Sequence, residues 1–75
     1  MLQDAQKEVS KLEGKLRDNQ EDVREVQADL NEAQAKGDTK KVAKYQSELQ
    51  EKQADVNKVT EELRQARAEV AALQG

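Results

Sequence analysis

The chain has 75 residues and a mass of 8.4 kDa; it contains no His, Cys, Trp, Phe or Pro, and Tyr45 is its one aromatic residue. Charged residues make up 39% of the chain and apolar residues 35%, so too little apolar area is present for the core of an ordinary two-layer globular domain. The net charge is −3 and both signs are spread along the chain, which excludes the basic excess that nucleic-acid binders normally show.

A first series of apolar residues predicts a long helix before Gly37. Its members are alternately three and four residues apart, like the a and d positions of a heptad repeat. The first stripe consists of Leu2, Ala5, Val9, Leu12, Leu16, Val23, Val26, Leu30 and Ala33, with Asn19 at its one polar position. We therefore expect a helix over about residues 2–36 that has one apolar face.

A second series with the same spacing predicts a second helix, over about residues 39–74. The second stripe consists of Val42, Tyr45, Leu49, Lys52, Val56, Val59, Leu63, Ala66, Val70 and Leu73, of which only Lys52 is charged. Each predicted helix has about 35 residues, so each would be about 50 Å long at 1.5 Å per residue.

The segment between the two stripes has the sequence of a tight turn. Ala33 and Val42 are nine residues apart, a spacing that would put them on opposite sides of one continuous helix. The break in phase coincides with Gly37, Asp38 and Thr39. Gly is favoured just after a helix, and Asp or Thr is favoured as the N-cap of the next helix. The sequence therefore predicts a turn at residues 37–39.

Folding the chain back at this turn pairs the two stripes layer by layer. In an antiparallel pair the a residues of one helix face the d residues of the other, and here residues whose numbers add up to 75 meet in every layer, from Ala33 with Val42 to Leu2 with Leu73. We expect an all-α fold, an antiparallel coiled-coil hairpin over residues 1–75, and two such hairpins could associate as a four-helix bundle. The alternative is a parallel coiled-coil dimer interrupted at Gly37.

Two polar residues, Asn19 and Lys52, occupy d positions near the middle of the predicted seam. One interpretation is that they specify the register or the partner, because a polar core residue fixes alignment at a cost in stability. The other is that both side chains reach out of a narrow seam, with Lys52 extending to the carboxylate of Asp22 or Asp55.

The positions that flank the seam differ in character. The e positions are mostly amides, namely Gln6, Gln20, Gln27, Gln34, Gln46, Gln53 and Gln74. The g positions are mostly acidic, and in an antiparallel hairpin they lie along one edge. We name as a candidate interaction ridge the residues Asp22, Asp29, Glu48, Asp55 and Glu62. A basic partner surface would relieve the repulsion along this acidic ridge, whereas the simpler interpretation is a solvated edge compensated by nearby Lys and Arg.

No combination of residues predicts catalysis or a cofactor. Carboxylate pairs such as Glu21 with Glu25 lie on a predicted exposed helix, and an acid–base pair needs burial or a cleft to separate its pKa values. There is no His or Cys for a transition-metal site and no Gly-rich phosphate loop. We expect a protein that is not an enzyme and that takes no cofactor, metal or small-molecule substrate.

The tip resembles that of known helical hairpins. The residues that carry the resemblance are Ala33-Gln34-Ala35-Lys36-Gly37-Asp38, followed by Val42 and Tyr45. They resemble the antiparallel coiled-coil fingers of Rho effectors, which bind small GTPases, and the hairpins of phage-shock-protein-A and ESCRT-III-like proteins, which remodel membranes. The first resemblance implies an exposed apolar or basic patch, which we do not identify in the sequence. The second implies an amphipathic lipid-binding segment at the start, for which residues 2–12 are too polar and too acidic.

The functional expectation is a non-catalytic structural or protein–protein interaction module, a coiled-coil spacer, scaffold or dimerisation arm belonging to a larger protein. Its expected partner is a protein or a second copy of the chain, not nucleic acid or a membrane. The alternatives are a GTPase-binding finger and a membrane-associated hairpin, and so regular a repeat also fits a designed sequence. No signal peptide or transmembrane segment follows Met1, which favours the cytoplasm without fixing the compartment.

Overall fold

The computed structural model describes all 75 residues as two helices packed against each other. Helix α1 spans Leu2–Lys36 and helix α2 spans Thr39–Gln74. The helices run antiparallel along their length, there are no strands, and the molecule measures 55 × 14 × 13 Å. The all-α helical hairpin predicted from the two stripes is confirmed.

The reversal of the chain is made by two residues, Gly37 and Asp38. Gly37 adopts a left-handed conformation, with φ 69° and ψ 23°. The N–H of Gly37 donates to the carbonyl oxygen of Gln34 at 3.2 Å, and the N–H of Asp38 donates to that of Ala33 at 3.0 Å. This is the Schellman arrangement, which satisfies carbonyl groups left free at the end of α1.

Helix α2 begins with a side-chain cap. Asp38 is the N-cap residue, and its carboxylate accepts a hydrogen bond of 3.1 Å from the N–H of Lys41. Thr39 is the first residue of the helix and not its cap. Gly37 and Asp38 thus satisfy backbone carbonyl groups at the end of α1 and a backbone N–H group at the start of α2. A longer loop is therefore not needed.

The core of the hairpin is a single narrow seam. Eight residues are buried, and all of them belong to the two predicted stripes: Ala5, Leu12, Val26, Leu30, Ala33, Val59, Leu63 and Ala66. A cluster in the half near the chain ends joins Leu12, Val59, Leu63 and Ala66, with Val9 and Leu16 packed against it. Val26, Leu30 and Ala33 are the buried residues of the half near the turn.

The central section of the seam is less buried than the sections on either side of it. The stripe residues between Leu16 and Val26 on α1, and those between Leu49 and Val59 on α2, are only half-buried. Asn19 and Lys52 lie in this section, so two of the four central stripe side chains contribute no apolar area to the seam. The core is therefore divided into two apolar parts by a weaker centre.

At the open end the predicted final layer does not close. Leu73 was expected to pair with Leu2 in the core, but Leu73 is 48% exposed and only Leu2 is half-buried. The prediction that Leu73 lies in the core is wrong, because the last turn of α2 leaves about half of this side chain open to solvent.

A rod of this shape exposes more surface than a compact protein. Its accessible surface is 5623 Å². A compact monomer of the same mass would expose about 4,600 Å². The difference of about 1,000 Å² is surface that an elongated hairpin leaves open to solvent or to a partner.

Candidate functional site

The predicted acidic ridge follows one edge of the hairpin. Asp22, Glu48 and Glu62 are half-buried beside the seam, and Asp29 and Asp55 are exposed. Lysines of the chain itself compensate part of the ridge, because Lys44 Nζ lies 4.0 Å from Glu48 Oε1 on the same helix. The ridge is thus a partly compensated acidic edge.

The two polar seam residues are half-buried, and no polar side chain of the protein is fully buried. Lys52 Nζ lies 3.6 Å from Asp22 Oδ2 across the two helices. The side chains of Lys52 and Asp22 are 39% and 44% exposed. Lys52 therefore reaches out of the seam to one of the two carboxylates that the sequence suggested, and Asn19 lies on the same edge of the seam.

The opposite edge, predicted as a row of amides, also carries an ion pair between the helices. Arg67 donates through one terminal nitrogen to Glu13 Oε2 at 3.2 Å. Both residues occupy e positions, which were predicted only as a row of amides. The pairing of e positions across an antiparallel hairpin was the signal that could have predicted this contact.

Two shallow grooves with an apolar floor open on this amide edge. The central groove, of about 390 Å³, is lined by Gln20, Val23, Gln53, Val56 and Asn57. The second groove, of about 270 Å³, lies nearer the chain ends and is lined by Gln6, Val9, Ser10, Arg67 and Val70. In each groove the floor is a pair of valines at a positions, whereas the layer between the grooves has the larger Leu16 and Leu63. Val side chains are shorter than Leu, so they leave the seam open to solvent at these two places.

Two ion pairs within single helices shift the pKa of their members. A hydrogen bond of 2.8 Å from Lys36 Nζ to Glu32 Oε1 lowers the pKa of Glu32 and raises that of Lys36. In α2 the hydrogen bonds from the Arg64 guanidinium lower the pKa of Glu61 and raise that of Arg64. All four side chains are exposed, so these pairs are surface ion pairs.

No group of three or more acidic side chains lies close enough together to hold a metal ion. Neither helix has a stretch apolar enough, over the length required, to cross a membrane.

Comparison with known proteins identifies a family. The model of the family described as "Protein of unknown function (DUF1090)" matches residues 2–58, which cover α1, the turn and the first part of α2. The chain belongs to this family. No curated protein and no solved structure matches it significantly. The central groove lies inside the matched range, and the second groove extends beyond it.

Proposed function

We propose that this member of the DUF1090 family is a non-catalytic protein–protein interaction module, which acts as a scaffold or dimerisation arm within a larger protein. The observation that carries the proposal is the seam, in which eight residues of 75 are buried while its central section stays half-open. A third or fourth helix laid along this section would cover apolar side chains that the hairpin itself leaves half-buried.

The shape supports the same proposal. The rod is 55 Å long and 14 Å wide, and its grooves are shallow and open at the surface. Enzyme active sites are generally concave and bury most of a small ligand, because chemistry requires groups held in a site with little water. A long narrow surface is suited to contacts with another elongated element.

The proposal can be tested with a photo-crosslinking amino acid placed at three consecutive exposed positions of α2. Gln53, Ala54 and Asp55 point to the amide edge, the outer face and the acidic edge, because successive helical residues are about 100° apart. Irradiation of cells that produce the protein should give a discrete adduct, with a second copy or with another protein, from one or two of these positions. Three equally reactive positions, or three without any adduct, would contradict an interaction module.

The two alternatives stay predictions with their own tests. A GTPase-binding finger requires nucleotide-dependent capture of a small GTPase, and a membrane-associated hairpin requires co-sedimentation with liposomes. The arginines beside the amide edge are the basic residues that such a finger would use. For the membrane alternative, Ala5 and Leu12 are buried against α2 instead of facing outward as a lipid-binding surface would need.

A further inference from the structure

The amide edge has an unusual distribution of charge. We define the amide–arginine face as the e and b positions of both helices, all twenty of which are exposed. In α1 these are Gln3, Gln6, Ser10, Glu13, Arg17, Gln20, Arg24, Gln27, Asn31 and Gln34; in α2 they are Ala43, Gln46, Gln50, Gln53, Asn57, Thr60, Arg64, Arg67, Ala71 and Gln74.

All four arginines of the protein lie on this face, together with one glutamate and no lysine or aspartate. Four positive charges against one negative charge give the face a net charge of +3. The rest of the chain has nine lysines and fifteen acidic residues, a net charge of −6. The hairpin is therefore polarised across its width, although the charges look mixed when they are read along the sequence.

In its high Arg and low Lys, Asp and Glu content this face matches the composition of protein-binding surfaces. Protein interfaces are enriched in Arg and depleted in Lys, Asp and Glu relative to the rest of the surface. Arg is preferred because its planar guanidinium can form two parallel hydrogen bonds with one carboxylate.

The two grooves give the face an apolar component with a helical spacing. Val9 and Val23 on α1 are fourteen residues apart, and so are Val56 and Val70 on α2. Fourteen residues correspond to about 21 Å along a helix, or two heptads. A third helix lying along the seam, with apolar residues at heptad spacing, could place a side chain in each groove.

Two of the arginines are available for a partner. Arg64 pairs with Glu61 and Arg67 pairs with Glu13, but Arg17 and Arg24 form no ion pair within the protein. Arg17 lies three residues before Gln20 and Arg24 four residues after it, so both share a helix face with this residue of the central groove. Carboxylates of a partner bound beside the central groove could therefore pair with both guanidinium groups.

We infer that the amide–arginine face binds an acidic amphipathic helix of a partner protein, whose apolar residues occupy the two grooves and whose Glu or Asp side chains pair with Arg17 and Arg24. This inference rests on the proposed function and specifies its surface and the chemistry of its partner. A second copy presenting the same face is disfavoured, since it would bring +3 against +3. The valine floor of the grooves favours a helix over a nucleic acid, which needs basic charge but no apolar contact.

The test uses the whole chain and a fluorescent peptide of about four heptads, with Leu at its a and d positions and Glu at e and g; its counterpart has Lys in place of Glu. Binding is measured by fluorescence anisotropy and the helicity of the bound peptide by circular dichroism. The variant is Arg17→Gln with Arg24→Gln. The matched control is Lys7→Gln with Lys11→Gln, which removes two positive charges from exposed residues on the other faces of the same helix.

The acidic peptide should bind and become helical, and the lysine peptide should not bind. The arginine variant should weaken binding about tenfold or more, and the lysine control less than about twofold, because only the former removes carboxylate contacts. No binding of the acidic peptide at about 1 mM, or an equal loss in both variants, would overturn the inference. So would tighter binding to a DNA duplex or to phosphatidylglycerol vesicles than to the peptide. In any of these cases an adduct at Ala54 or Asp55 would still leave the interaction module in place.

Discussion

At the scale of single residues, the left-handed conformation of Gly37 is the feature most sensitive to substitution. Gly37→Ala should destabilise the hairpin by about 1 kcal/mol, because an L residue is strained at a φ of 69°. A Cβ at position 37 would meet no atom within 4 Å, so the cost comes from the backbone and not from a clash. Chemical denaturation of the variant measures it.

Gly14 provides the matched control for this measurement. It lies inside α1, and a Cβ added there also meets nothing within 4 Å. Gly14→Ala should stabilise the protein by about 0.5–1 kcal/mol, since Ala has the higher helix propensity. If both substitutions changed the unfolding free energy in the same direction, the left-handed turn would be incorrect.

The cap of α2 can be assigned to one of its two candidates. Asp38→Ala should cost about 1 kcal/mol, because it removes the acceptor for the N–H of Lys41. Asp38→Asn should keep most of the stability, as Asn caps nearly as well. Thr39→Ala, at the first helical position, should change the unfolding free energy by less than about 0.5 kcal/mol. A larger effect at Thr39 than at Asp38 would move the cap by one residue.

The pKa of Glu32 is lowered mainly by its hydrogen bond with Lys36. Its folded pKa is lowered by Lys36, so the contribution of this pair to stability is present above the ordinary pKa of Glu and is lost as the pH falls through the lowered value. In Lys36→Gln the pKa of Glu32 should return to the ordinary range, which a carboxyl-detected NMR titration would show. An unchanged titration curve would mean that the pair does not form in solution.

At the scale of the helices, the weak centre of the seam is the main feature. Asn19→Leu should raise the unfolding free energy by about 1 kcal/mol, because an apolar side chain would join the two separate parts of the core. The control is Asn31→Leu at an exposed position, where the change should stay within about 0.5 kcal/mol. Light scattering should be recorded on both variants.

A loss of stability in Asn19→Leu would mean that the amide makes a contact needed in the seam. A gain in stability accompanied by a change in mass would instead support the interpretation that Asn19 specifies the association state, since polar core residues are known to do so. The unfolding free energy and the mass of this one variant therefore distinguish the two interpretations of Asn19.

The stripes and the turn could be predicted from the sequence because each depends on local spacing and local chemistry. The sequence alone contains the nine-residue spacing from Ala33 to Val42, which breaks the phase of the stripe. It also contains the turn residues Gly37 and Asp38. The exposure of Leu73 could not be predicted from its place in the stripe, because it depends on what lies beyond the last layer.

The amide–arginine face was missed for a different reason. Arg17 and Arg64 belong to different helices. That they lie on the same side of the hairpin becomes clear only when the b and e positions of both helices are considered together. Counting charges along the chain mixes this face with the acidic one. A comparison of Arg and Lys by helical position, after the fold-back was inferred, would have found it.

At the scale of the whole molecule, the width of the hairpin limits what it can do alone. Two helices in contact through one seam leave most of each helix exposed, and the surface exceeds that of a compact protein by about 1,000 Å². Standard protein interfaces bury about 800 Å² on each partner, so the excess is enough for one such contact. Because the positive charge is concentrated on the amide–arginine face, we expect an acidic helix to bind there.

The measurement that tests the hairpin most directly is small-angle X-ray scattering at several concentrations, with the mass obtained from light scattering. The folded hairpin predicts a maximum dimension of about 55–60 Å and a radius of gyration near the 16.9 Å of its Cα atoms. A particle of monomer mass and this size agrees with the hairpin, and dimer mass at nearly the same length would mean that two hairpins lie side by side. A particle about 110 Å long would require one continuous helix per chain and would contradict the turn at Gly37.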